Sequence, residues 1–269
     1  MIPRVLQGTG TNQSWPFPLF LLRTAWADQP FDVLTEWISG LGEAHLLEVV
    51  GEPVGIDSDP AAGPVALLPG LLRMLRRQTA HRPPERLSLL TASAGDTSAL
   101  PAVPGLRDDV VKAGCGVLVR DPVDGTGVCM TARATDGGVL RWRARGIGVC
   151  PVAPQPSGPA RAAAELADSV EAAATLIEQA AAASFTTATP RGLDIGGTVV
   201  SLPRGLGPRT VALIDRADRV EAIVETALRM PGVGAAQMDR EPVLRRLTNA
   251  VDSARRAAVA AAGEEAMPR

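Results

Sequence analysis

Residues 116–145 read GVLVRDPVDGTGVCMTARATDGGVLRWRAR. Three runs within it, 116–121, 127–134 and 139–145, carry valines and alternating apolar residues. They are separated by Pro-Val-Asp-Gly and Thr-Asp-Gly-Gly, turn sequences that supply glycine where φ must be positive. The spacing predicts a three-stranded antiparallel meander. Successive side chains on a strand point to opposite faces. Val117, Val119, Val128, Met130, Leu140 and Trp142 therefore share one face, which is uniformly apolar and reads as the core side. Leu118, Arg120, Cys129, Thr131, Arg133, Arg141, Arg143 and Arg145 share the other. A slip of one residue would bury the guanidinium groups, so the pattern pins the register.

Working outward, the first half mixes short helices and strands. Residues 30–42, 69–81 and 105–114 have helical spacing, and HLLEVV (45–50) and RLSLL (86–90) read as strand-like apolar runs. The second half differs. Residues 151–159 hold four prolines and form a connector. Helices are expected over 159–184, with Leu166, Val170, Ala173 and Ile177 in one stripe, and over 208–230, with Leu213, Ala217, Val220, Val224 and Ala227. A third runs from about 240 to 262, with Leu244, Leu247, Val251, Ala254 and Ala258 inward. A short strand is expected at 197–202. The fold class is α+β: an antiparallel meander within a mixed α/β part, residues 1–155, and a helical region, residues 156–269, packing on it with helices on the apolar side of the sheet.

Composition limits the function classes. The 269 residues are 46% hydrophobic and 21% charged, as a folded protein requires, and the net charge is −2. That balance gives no global field for nucleic acid or an acidic membrane surface. Arginine replaces lysine almost throughout (Lys112 stands alone) and tyrosine is absent, a usage that a GC-rich bacterial genome imposes. Three cysteines, Cys115, Cys129 and Cys150, fit neither a disulfide framework nor a metal-ligand spacing. With only His45 and His81 besides, no metal or other cofactor is expected. The apolar WPFPLFLL (15–22) is too short for a membrane span, holds Pro16 and Pro18, and follows residues 7–14, which are polar and carry no cation, so a cytoplasmic location is expected.

The arginines at 120, 133, 141, 143 and 145 are the strongest candidate site. Like charges facing each other across strands repel. A cluster of this kind calls for neutralisation by an acidic helix of the same chain or by an acidic or anionic partner. A nucleic-acid platform would stack bases on aromatics of the arginine face; Trp142, the one aromatic here, points the other way, which makes that the weaker alternative. The loop TASAGDTSALP (91–101) offers Ser93, Asp96 and Thr97 as contacts for a phosphate, but it lacks the helix and the later histidine that a serine hydrolase needs.

Asp121 to Thr126 reads DPVDGT and resembles the Asp-Pro-x-Asp-Gly-Thr signature of the inositol monophosphatase-like family. The resemblance implies that Asp121 and Asp124 would hold magnesium for hydrolysis of a phosphate ester. It covers six residues. ALPAVPGL stands at 99–106 where the family carries paired acids, and Gly127 and Val128 follow where it carries Asn-Phe. The preferred reading of these residues is a turn. The expectation carried forward is a non-catalytic binding or adaptor protein that presents an arginine-lined sheet face to an acidic or anionic partner. An enzyme on a phosphorylated or otherwise anionic small molecule is the alternative, followed by a nucleic-acid-binding protein.

Overall fold

The alternation in 116–145 folds as its pattern dictates. The computed structural model describes residues 44–51, 87–92, 100–120, 125–135, 138–150, 156–184, 206–229 and 235–265. By internal contacts the chain divides into two units: Met1–Gln155 with Val199–Gly207 and Val259–Arg269, and Pro156–Thr198 with Pro208–Ala258.

The first unit holds a sheet of five described strands. They are β1 (Ala44–Val50), β2 (Leu87–Thr91), β3 (Cys115–Arg120), β4 (Gly127–Thr135) and β5 (Val139–Ile147), in the order β1-β5-β4-β3-β2. The β3–β4–β5 meander has the expected antiparallel register, with Val117 opposite Met130 and Met130 opposite Ala144. β2 adds antiparallel to β3, and β1 adds parallel to β5. The sheet is thus wider than the meander and mixed, in keeping with the α+β class. On the face opposite the arginines, Val117, Val128, Met130, Trp142 and Ala144 are all buried. Trp142 Nε1 donates a 2.9 Å hydrogen bond to Nδ1 of His45 on β1. That nitrogen must carry a lone pair, so the imidazole is the neutral Nε2–H tautomer.

Helix α1 (Leu106–Ala113) lies on the arginine-bearing face, whereas helices were expected only on the apolar side. The reason is visible in the residues. Towards β2 and β3 this face carries Leu90, Leu118, Cys129 and Ile147, and α1 lays Leu106 and Val110 over them with Leu100 and Cys150 at the margin. Gly116 permits the approach: a Cβ there would stand 3.2 Å from Val110 Cγ2, Cys129 Sγ and Thr131 Cγ2. Both faces are therefore buried at the centre of the sheet.

The second unit contains helix α2 (Pro159–Ser184), helix α3 (Pro208–Arg229) and most of helix α4 (Ala235–Glu265). Proline opens α2 and α3, where its missing N–H would have had no helical partner. α4 begins earlier than the apolar spacing indicates and includes Pro242. α2 buries Leu166 and Ala173 of its expected stripe, and Ala162 besides, with Val170 partly buried; α3 buries Leu213, Ala217, Val220 and Val224, and the side chains of Ile177 and Ala227 lie outside the described residues. α3 and α4 are joined by a buried charge. Arg255, 2% exposed, donates from Nη2 to Asp218 Oδ1 at 2.9 Å and from Nη1 to Glu221 Oε1 at 2.8 Å, with a further bond from Nη2 to Glu221 Oε2. Burial opposes the guanidinium charge. The Glu221 hydrogen bond and the charges of Glu221 and Asp218 outweigh it and hold Arg255 protonated, above its ordinary range. Burial raises the Asp218 carboxyl despite the opposing pull of Arg255. No described helix is long and apolar enough to cross a membrane. The strand expected at 197–202 and the helices expected at 30–42 and 69–81 lie outside the described residues.

Removing one side of a buried ion cluster strands the other. Arg255→Ala is expected to lower the stability of the helical unit by about 3–5 kcal/mol. Replacing Arg255, Asp218 and Glu221 together by apolar residues should cost far less. Chemical denaturation followed by the helical circular dichroism signal separates the two outcomes.

Candidate functional site

The arginine face is built in rows across the sheet. Leu46, Arg141 and Arg133 stand side by side on β1, β5 and β4; in the next row Glu48, Arg143 and Thr131 do so, and in the row after that Val50, Arg145 and Cys129. The parallel pairing of β1 brings Glu48 beside Arg143. Helix α1 brings Asp109 over the same place, because Asp109 falls one turn after Leu106 and so on the buried side of the helix.

Each Asp109 oxygen takes a different arginine. Oδ1 accepts from Arg143 Nη1 at 2.6 Å, and Oδ2 accepts from Arg145 Nε at 2.6 Å. Arg143 then reaches Glu48, donating from Nη2 at 2.8 Å to both carboxylate oxygens and from Nε at 3.1 Å. The result is a chain, Glu48–Arg143–Asp109–Arg145, with two positive and two negative groups. Asp109 is buried, with only 4% of its side chain exposed. Burial pushes its carboxyl up, but the hydrogen bonds from Arg145 and Arg143 and their charges outweigh burial and hold it below the usual carboxylate range. The bond to Asp109, followed by those to Glu48, raises Arg143 in turn. Gly105, at φ 72° just before α1, makes room for this arrangement. A Cβ there would meet the Arg145 guanidinium at 2.9 Å.

The five candidate arginines therefore separate. Arg143 and Arg145 are committed within the chain. Arg120, at the end of β3, is partly buried, and its Nε lacks a hydrogen-bond partner among the described residues. Arg133 and Arg141 are exposed and face each other directly across β4 and β5; neither forms an ion pair among the described residues. The structure brings together Arg133, Arg141, Arg143 and Arg145, and it leaves Arg120 at the other end of the face.

Asp121 and Asp124, the residues of the phosphatase resemblance, lie outside the described residues, as do Ser93, Asp96, Thr97 and His81. All three cysteines are buried, and none is in a disulfide. Burial is the main cause that raises both Cys129 and Cys150, which makes them poor nucleophiles. The residues that the sequence reading passed over are Asp109 and Glu48. Asp109 left a signal: an aspartate in phase with Leu106, Val110 and Ala113 points inward and needs a cation. Glu48 left none, because its neighbour across the sheet depends on a pairing between segments far apart in the chain.

The fold defines an α+β protein with an internally neutralised arginine cluster on its sheet and a separate helical unit. Over residues 160–256 the chain is similar to the family described as Rv1486c-like protein, C-terminal domain. The matched stretch runs from the first turn of α2 into α4 and takes in most of the helical unit, together with Val199–Gly207 of the first unit. No curated protein and no solved structure matches the chain.

Because the folded-state Asp109 carboxyl is lowered, its contribution to stability is present above the unfolded-state value and is lost as pH falls through the folded one. Stability of the sheet unit should decline below about pH 4, the ordinary aspartate range. Asp109→Asn should lose about 2 kcal/mol at neutral pH, from its charged hydrogen bonds, and flatten the acid limb. Denaturation of both proteins at a series of pH values, followed by tryptophan fluorescence, reads both effects.

Proposed function

We propose that this protein is a non-catalytic, intracellular binding protein that engages an acidic or anionic partner through the exposed end of its arginine face. The observation that carries the reading is the contrast along that face. Arg143 and Arg145 have carboxylates supplied by the chain itself, whereas Arg133 and Arg141 sit opposite each other, exposed, with no described carboxylate beside them. Two guanidinium groups at adjacent positions repel and gain from a shared anion. Their planar forks suit carboxylate or phosphate oxygens. The neighbouring ion chain supports the same reading, since it fixes β1, β5 and α1 and gives the pair a firm base.

The test is charge reversal. Binding of polyglutamate to the full chain, measured by calorimetry, should weaken as salt is raised. It should fall about tenfold or more in the Arg133→Glu/Arg141→Glu variant, as loss of complementary charge requires. Lys112→Glu, an exposed cation on α1, should leave it unchanged. Equal affinity in the double variant and the parent would dismiss the arginine face as the binding surface.

A further inference from the structure

The two edges of the sheet differ. β2 is closed in: Leu87, Leu89, Leu90 and Thr91 are buried and only Ser88 is partly open. β1 is the opposite. Leu46 is 36% exposed on the arginine face and Val49 37% exposed on the other face, and Ala44 and Glu48 are exposed as well. Among the described residues, no strand pairs with the outer edge of β1. Edge strands are ordinarily guarded by charge, proline or a bulge. The one charged residue of β1, Glu48, is already committed to Arg143.

From this edge and its neighbouring charges we infer that β1 receives an extended, acidic segment of another protein as a sixth strand. This rests on the proposed role of Arg133 and Arg141 and specifies the partner's chemistry. Main-chain hydrogen bonds along β1 supply the pairing, and alternate side chains supply selectivity. On one side of the added strand, acidic side chains lie in the row of Leu46, Arg141 and Arg133. Arg141 stands two strand spacings away, about 10 Å, a gap that a glutamate and an arginine extended toward each other over Leu46 can span; Arg133, one strand further, adds to the field that draws the acid. The added strand's apolar side chains fall on the other side, against Val49. A basic segment would bring its charge to two arginines that already repel each other. Pairing with a second copy would set Glu48 and the arginines of one chain beside those of the other, with no new acid for Arg133 and Arg141.

The probe is a fluorescein-labelled peptide of alternating glutamate and valine, titrated into the full-length protein and read by anisotropy. Saturable binding is expected, with none for the lysine–valine counterpart. Arg133→Glu/Arg141→Glu should weaken it about tenfold, and so should Val49→Ser, whose side chain faces away from the arginines and reports burial of the strand edge. A peptide N-methylated at alternate residues should lose binding, because its edge can no longer donate hydrogen bonds. Denaturation curves for each variant show that it remains folded. If reversal of the arginines abolishes binding while Val49→Ser and N-methylation do not, the anionic face stands and strand addition is overturned. If reversal has no effect, both readings fall. Absence of saturable binding, a single-stranded oligonucleotide that binds more tightly than the peptide, or a dimer in sedimentation that Val49→Ser dissolves would each overturn the acidic-segment proposal.

Discussion

Asp109 stands between two guanidinium groups with one oxygen given to each, and a second carboxylate, Glu48, closes the chain from β1. Without these acids, Arg143 and Arg145 would share one sheet face with Arg133 and Arg141, in a field that no strand pairing could tolerate cheaply. With them, the cluster is neutral where it is enclosed and positive only where it is open. Burying an unpaired carboxylate at Asp109 would cost several kcal/mol. The helix, the parallel strand and the arginine strand must therefore come together as a set, and the position of α1 over the sheet is fixed by charge as well as by the apolar contacts of Leu106 and Val110.

The helical unit meets the same problem in another form. Arg255 lies on the apolar side of α4, one turn after Val251, and takes its carboxylates from one turn of α3. A buried ion cluster is a weak source of net stability, because desolvation offsets the attraction. It is demanding about geometry, however. One guanidinium that must reach both Asp218 and Glu221 admits a single axial position of α4 against α3. Alanine-rich faces such as Ala254, Ala257 and Ala258 would otherwise accept several.

Local pattern made much of this structure readable. Period-two alternation placed Trp142 and Met130 on one face and the arginines on the other, and period-3.6 stripes marked Leu166, Leu213, Ala217, Val220, Leu247 and Val251 as inward-facing. Turn chemistry located the hairpins. What could not be read was anything that depends on which distant segments meet. Nothing in HLLEVV says that it will lie parallel to β5, and so nothing in it marks Glu48 as the counter-ion of Arg143. α1 was readable as a helix, but its choice of the arginine face depends on Gly116 opening a space beneath Val110. The candidate site was half legible for the same reason: five arginines were visible in the sequence, but of the acids that withdraw two of them from the surface only Asp109 left a mark, in its phase with Leu106 and Val110, and Glu48 left none.

The parallel strand also carries a kinetic consequence. β3, β4 and β5 follow one another within a few residues in the chain and can pair at little entropic expense. Glu48 and Arg143 are 95 residues apart, and β1 must close that long loop before its hydrogen bonds and its ion pair repay the ordering. The meander can therefore form early, with β1 arriving last. Until it does, Arg143 has only Asp109 to answer its charge, and β5 is itself an edge.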